Sequence, residues 1–163
     1  MTNKHTALKR LLSFVAQDYD YIFIDTSPKA DMLTVCSLFA ADGVIIPSDY
    51  DPETLRHASS ISNTIVPKIR SERQHRASKS KKLPIDDIKP QVLGLVFSNC
   101  PDIGIQLKRQ VDNYLNQFSI PIYETELRHY QTTVTAKFYR KPVVFYRPNS
   151  PISQLYIKLT RRY

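Results

Sequence analysis

The sequence predicts an α/β domain, a mostly parallel sheet flanked by helices. Three observations carry that expectation. Short runs (YIFID at 21–25, GVIIP at 43–47, QVLGLVFSN at 91–99) are almost continuously apolar rather than alternating, as in strands covered on both faces. Stretches with helical apolar spacing separate them, which implies βαβ units. Polar residues gather beyond the carboxyl ends of the runs, the edge at which open parallel sheets bind ligands.

Residues 6–17 place Leu8, Leu11, Leu12 and Val15 at helical spacing, and Asp18-Tyr19-Asp20 ends that helix before YIFID. Residues 30–41 read as a second helix entered through Ser27-Pro28, and Asp42-Gly43 turns the chain into GVIIP. Asp51 then caps a third helix that has Pro52 at its first position and runs to about Ile65. Residues 68–82 hold seven Lys or Arg against one Glu and little that is apolar, so an exposed helix end and a flexible basic loop are expected there. A strand at 92–97, a helix from Gln106 to Phe118, a short strand at 120–123, a helix over 130–140, an extended piece from Pro142 to Phe145 and a closing helix over 151–161 complete the reading.

The 163 residues fit one domain, with 42% hydrophobic content and no apolar run long enough for a membrane span. With no signal-peptide core at the N-terminus, a cytoplasmic location without membrane contact is expected. Cys36 and Cys100 lack partners at metal-ligand spacing and read as buried small apolar residues. The four histidines are scattered, which disfavours a metal site made from them. Twenty-three Lys and Arg against 15 Asp and Glu give a charge of +8, which favours polyanions, nucleic acid first.

The strand ends offer Asp25-Thr26-Ser27-Pro28, Pro47-Ser48-Asp49, Ser98-Asn99-Cys100-Pro101-Asp102 and Glu124. An apolar strand closing on aspartate is the Walker B arrangement, whose carboxylate lies near a magnesium ion bridging nucleotide phosphates. The same placement also serves to cap a following helix, and on the residues alone both readings of Asp25 stay open.

The order and spacing of longer segments narrow this. LKRLLSFVAQDYDYIFIDTSP, LTVCSLFAADGVIIPSDYDPETLRHASSISNTI, VLGLVFSNC and RKPVVFYRPNSPISQLYIKL together resemble the ParA/MinD family of partition and positioning ATPases, over nearly the whole chain. The resemblance implies a P-loop NTPase-like fold, ATP and magnesium as cofactors, and an outer-shell magnesium role for Asp25. It places Asn99 where the family offers an adenine contact, and Arg128 and His129 in the segment that flanks the base. Pro28 falls on the second proline of the family's D-x-P-P turn. Three positions depart from the pattern: Ser27 replaces the first proline, Leu127-Arg128-His129 stands for Pro-Arg-Asn, and Arg140 replaces the glycine of GKPV.

The resemblance also implies a deviant Walker A loop, K-G-G-x-G-K-[ST], whose backbone N–H groups and lysines hold the phosphates. Gly43, Gly94 and Gly104 are the only glycines and lie far apart, so none forms such a loop. One carboxylate cannot replace that cluster of donors, and no ATP hydrolysis is expected from this chain alone. Without its mid-sheet neighbour, YIFID either pairs directly with GVIIP or leaves an exposed edge that invites a partner chain. The leading expectation is a truncated or degenerate ParA-like partition protein that binds DNA nonspecifically or associates with itself or a full-length relative. Two alternatives stay open: the C-terminal portion of an active partition ATPase whose P-loop another chain supplies, and an unrelated flavodoxin-like interaction domain. By the resemblance, DNA contact falls to basic residues of the C-terminal half, here Lys108, Arg109, Arg128, Lys137, Arg140, Lys141 and the terminal Arg161-Arg162.

Overall fold

A computed structural model describes residues 4–27, 31–80, 89–117 and 120–160. Pro28, Arg161 and Arg162, the end of the expected basic loop at 81–82, and Phe118 lie outside the described residues. The elements are α1 (Ala7–Leu12), α2 (Met32–Ala40), β1 (Gly43–Ser48), α3 (Pro52–Ser60), α4 (Val66–Ser80), β2 (Gln91–Cys100), α5 (Ile105–Leu115), β3 (Leu127–Arg128), α6 (Gln131–Phe138), α7 (Val143–Tyr146) and α8 (Pro151–Thr160). The fold is α/β: a three-stranded parallel sheet, in the order β1-β2-β3, with helices flanking it.

The chain divides into two compact units, residues 1–44 with 61–93 and residues 45–60 with 94–163. In the first, α2 begins where the Asp31 carboxylate accepts the Thr34 N–H at 2.9 Å, an N-cap that fixes the start of the helix. Leu38 and Phe39 of α2 then bury against Ile69 of α4, with Val44 and Ile65 at the margin.

The segment expected to be a flexible basic loop is helical through Ser80. Apolar counting missed it because arginine stems supply the packing. Arg73 is buried, donates from Nη1 to the Ala41 carbonyl at 2.9 Å and lies 6.0 Å from the Phe39 ring centre; Arg76 lies 5.2 Å from the same ring and pairs with Glu72. A π-helical stretch, Ile61–Ile65, joins α3 to α4.

YIFID is a second correction. Among the described residues it has no strand partner and forms no strand. Tyr21 and Phe23 are exposed, Phe23 to 90%. Apolar composition supplies the propensity for a strand, but a strand exists only where a neighbour takes its backbone hydrogen bonds.

The second unit is organised by β2. Val96, Tyr123, Leu127, Ala136, Val143 and Ile152 form its core. The expected strand at 120–123 is reduced to one parallel bridge, with the Leu95 N–H donating to the Pro121 carbonyl at 2.8 Å and the Tyr123 N–H to the Leu95 carbonyl at 2.9 Å. The ladder continues as β3, in register Ser98 with Leu127 and Cys100 with Arg128, with an irregularity between the two pairs.

The piece from Pro142 to Phe145 is helical rather than extended. Its β-branched valines favour a strand, but the Tyr146 N–H donates to the Pro142 carbonyl at 2.9 Å and closes a turn. Both cysteines are buried and free, as the sequence led one to expect.

The end of α6 explains the departure at position 140. Arg140 follows the C-cap Tyr139 with φ 51°; its N–H donates to the Lys137 carbonyl at 3.0 Å and the Lys141 N–H to the Ala136 carbonyl at 3.1 Å. This is a Schellman termination, whose left-handed residue is most often glycine because a Cβ is strained there. Arg140→Gly is therefore expected to raise the urea unfolding midpoint, by an amount equivalent to about 1 kcal/mol. A lower midpoint would show that the arginine side chain contributes more than its backbone costs.

Candidate nucleotide-base site

The candidate site lies wholly within the second unit, at the carboxyl end of β2. Asn99 occupies the left-handed region at φ 55°, which asparagine tolerates better than most residues. The turn brings its side-chain oxygen to 2.8 Å from the His129 Nδ1. The His129 N–H donates to the Cys100 carbonyl at 3.0 Å, which ties the segment after β3 to the end of β2. The Arg128 guanidinium donates to the Asp102 carboxylate at 2.7 Å. Cys100, Pro101, Asp102, Arg128, His129 and Tyr130 line a pocket of about 360 Å³. Sequence reasoning named Asn99, Arg128 and His129, and the structure brings all three together.

A less exposed polar network is built on Glu126. It accepts a hydrogen bond from the Tyr50 hydroxyl at 2.7 Å and another from the Lys108 ammonium, and Asp112 lies 3.8 Å from that ammonium. The ammonium also sits 5.2 Å from the Tyr50 ring centre and 5.3 Å from that of Phe97. Burial pushes the Tyr50 hydroxyl well above the ordinary tyrosine range, and its bond to Glu126 adds to the shift. Burial alone would raise the Glu126 carboxyl too, but the Lys108 and Tyr50 hydrogen bonds outweigh it and hold the group below its usual value. Burial, with the charges of Glu126 and Asp49, pushes the Cys100 thiol up to about 11, so at neutral pH it is an uncharged wall of the pocket and not a nucleophile.

Sequence reasoning missed this network. Tyr50 and Glu126 are 76 positions apart, and no motif links them to Lys108. Two residues of the expected DNA-contacting set are ion-paired within the unit, Lys108 with Glu126 and Arg128 with Asp102.

At the end of β1, Asp49 accepts hydrogen bonds from the Thr54 hydroxyl and, at 3.0 Å, from the Asp51 N–H. Asp51 in turn accepts the Glu53 N–H at 2.7 Å, the cap expected for α3. Asp25 is exposed and lies outside any strand among the described residues. Among the described residues, no group of three or more His, Cys, Asp or Glu is placed to hold a metal ion, and no helix is long and apolar enough to cross a membrane.

Comparison with known proteins identifies the class. A family model described as an AAA domain matches residues 1–83, half of the chain. The chain belongs to that family, among the partition ATPases of the ParA/MinD type. It is 30% identical over 159 residues to the sporulation initiation inhibitor protein Soj of Bacillus subtilis (strain 168), covering 98% of this chain and 57% of that protein. It is 26% identical over 160 residues to the chromosome partitioning protein ParA of Myxococcus xanthus (strain DK1622), covering 98% of this chain and 51% of that protein. An uncharacterized protein of Pseudomonas putida (strain KT2440) is 26% identical over 159 residues, which make up 98% of this chain and 55% of the relative. The chain spans about half the length of these relatives.

Proposed function

We propose that this chain acts in DNA partition by holding the base side of a nucleotide and a DNA backbone, without turning over ATP by itself. The observation that carries the reading is the pairing of Asn99 with His129, of which His129 lines the pocket at the end of β2. An amide beside an imidazole offers donors and acceptors to the edge of a heteroaromatic base, and the family binds nucleotide with magnesium in general. Cys100, Pro101 and Tyr130 give the pocket apolar surface for the base plane.

The pocket does not fit a phosphate chain. Its one guanidinium is paired with the Asp102 carboxylate. Phosphates need converging N–H donors; the three glycines lie far apart in sequence, and a Cβ at Gly94 would meet Tyr123 and one at Gly43 would meet Leu93. Magnesium, where the family binds it, would supply charge neutralisation, and the described residues place no group of three His, Cys, Asp or Glu to hold it.

For DNA, the reading rests on the resemblance and on the charge distribution. Lys137, Arg140 and Lys141 gather around the end of α6, and Arg109 is exposed on α5. Contacts through phosphates alone predict binding to random duplex with a log–log salt slope of about −3, consistent with three to four neutralised phosphates. Fluorescence anisotropy across a salt series measures it. Combined Lys137→Ala and Lys141→Ala should weaken binding and flatten the slope by about 2. Absence of binding at low salt, or binding indifferent to salt, would remove DNA from the reading.

A further inference from the structure

The second unit carries a groove whose apolar surface neither the base site nor the DNA contacts use, although two of the lysines assigned to DNA border it. Ala136, Val143, Val144, Tyr156 and Ile157 give it an apolar floor, and its volume is about 670 Å³. Phe145 stands beside it, 76% exposed, and Lys137 and Lys141 lie on its rim. The walls are held by contacts within the unit. The Tyr139 and Tyr146 rings stack at 5.1 Å, and the buried Ser153 hydroxyl lies 2.7 Å from the Arg147 carbonyl and 3.1 Å from that of Val143, which ties α7 to α8.

We propose that this groove docks an acidic amphipathic helix from a partner protein. Charge complementarity selects the occupant: every Asp, Glu, Lys or Arg from residue 127 onward is basic, so the rim presents cations and no competing carboxylate from its own stretch of chain. The apolar floor selects it further. A duplex DNA backbone is polar throughout and would leave Phe145 and the floor uncovered, whereas a helix with apolar residues at i, i+3, i+4 and i+7 covers them while its carboxylates reach Lys137 and Lys141. Because the walls are already in place, little ordering cost opposes docking.

The test uses the full 163-residue chain. The probe is a fluorescein-labelled synthetic helix of about 16 residues, with leucine along one face and glutamate on the others, read by anisotropy; the control contains the same residues reordered to scatter the leucines. The ordered helix should bind at least about tenfold more tightly than the control. Phe145→Asp should lower its affinity by about tenfold or more. Ile157→Asp serves as the second variant, with circular dichroism to establish that both are folded. Equal binding of the two peptides, or ordered-peptide binding indifferent to Phe145→Asp, would mean that the basic rim acts alone and would overturn the proposal. Because DNA binding is read separately, a failed DNA reading and a failed docking site are distinguishable.

Discussion

Phe97→Ala is expected to destabilise the protein by about 4 kcal/mol, read as a fall in the urea unfolding midpoint at unchanged slope. Phe97 is among the largest fully buried side chains, 1% exposed, at the centre of β2. Its ring packs 4.8 Å from that of Tyr50 and forms part of the seat of the Lys108 ammonium. Removing it opens a cavity beneath a charged network, so two losses combine. The lost packing is what any buried phenylalanine would forfeit, and water reaching Lys108 and Glu126 weakens an ion pair that partial burial had favoured. A cost under about 1 kcal/mol would mean that Tyr50 collapses into the space, and the account of β2 as the organiser of the second unit would be wrong.

Gly94→Ala should be nearly as damaging, at about 3 kcal/mol. Gly94 has φ 154°, a conformation that residues with side chains rarely adopt. A Cβ there would lie 2.6 Å from a Tyr123 ring carbon and 3.0 Å from the Pro121 carbonyl oxygen. Tyr123 belongs to the core of this unit, and its N–H pairs with Leu95 one residue beyond Gly94, so the ring cannot retreat without breaking the bridge that leads into β3. Since β3 delivers Arg128 and His129 to the pocket, the same substitution should also weaken any base binding. A stability loss with an intact site would separate the two roles.

How much of this was legible in the sequence depended on where each signal comes from. The strand QVLGLVFSN declares itself because its centre from Gly94 to Phe97 is buried, whereas GVIIP forms a strand with alternating burial and Ile45 exposed rather than covered on both faces. YIFID has the same composition, yet forms no strand among the described residues, since strand formation depends on a partner that local composition does not encode. The basic stretch after Ile69 was misread for a different reason: the apolar parts of Arg73 and Arg76 cover Phe39, and a hydropathy count assigns those parts to the surface.

The site divides in the same way. Asn99, Arg128 and His129 were expected from the resemblance, and the structure joins Asn99 to His129 across 30 positions. Resemblance also offered Lys108 for DNA, but could not show that Glu126, 18 positions away, occupies it. Arg140 looked like a lost family glycine, and the Schellman turn shows what that glycine is for: the backbone is left-handed whether or not the residue suits it.

The central claim is that this chain recognises a base and lacks the means to hold phosphates. Titration calorimetry of the chain with adenosine, ADP and ATP, each with and without magnesium, tests it most directly. The account predicts weak binding of similar strength for all three, indifferent to magnesium and lost in Asn99→Ala. Affinity that rises steeply from adenosine to ATP and depends on magnesium, or ATP turnover abolished by Asp25→Ala, would contradict it.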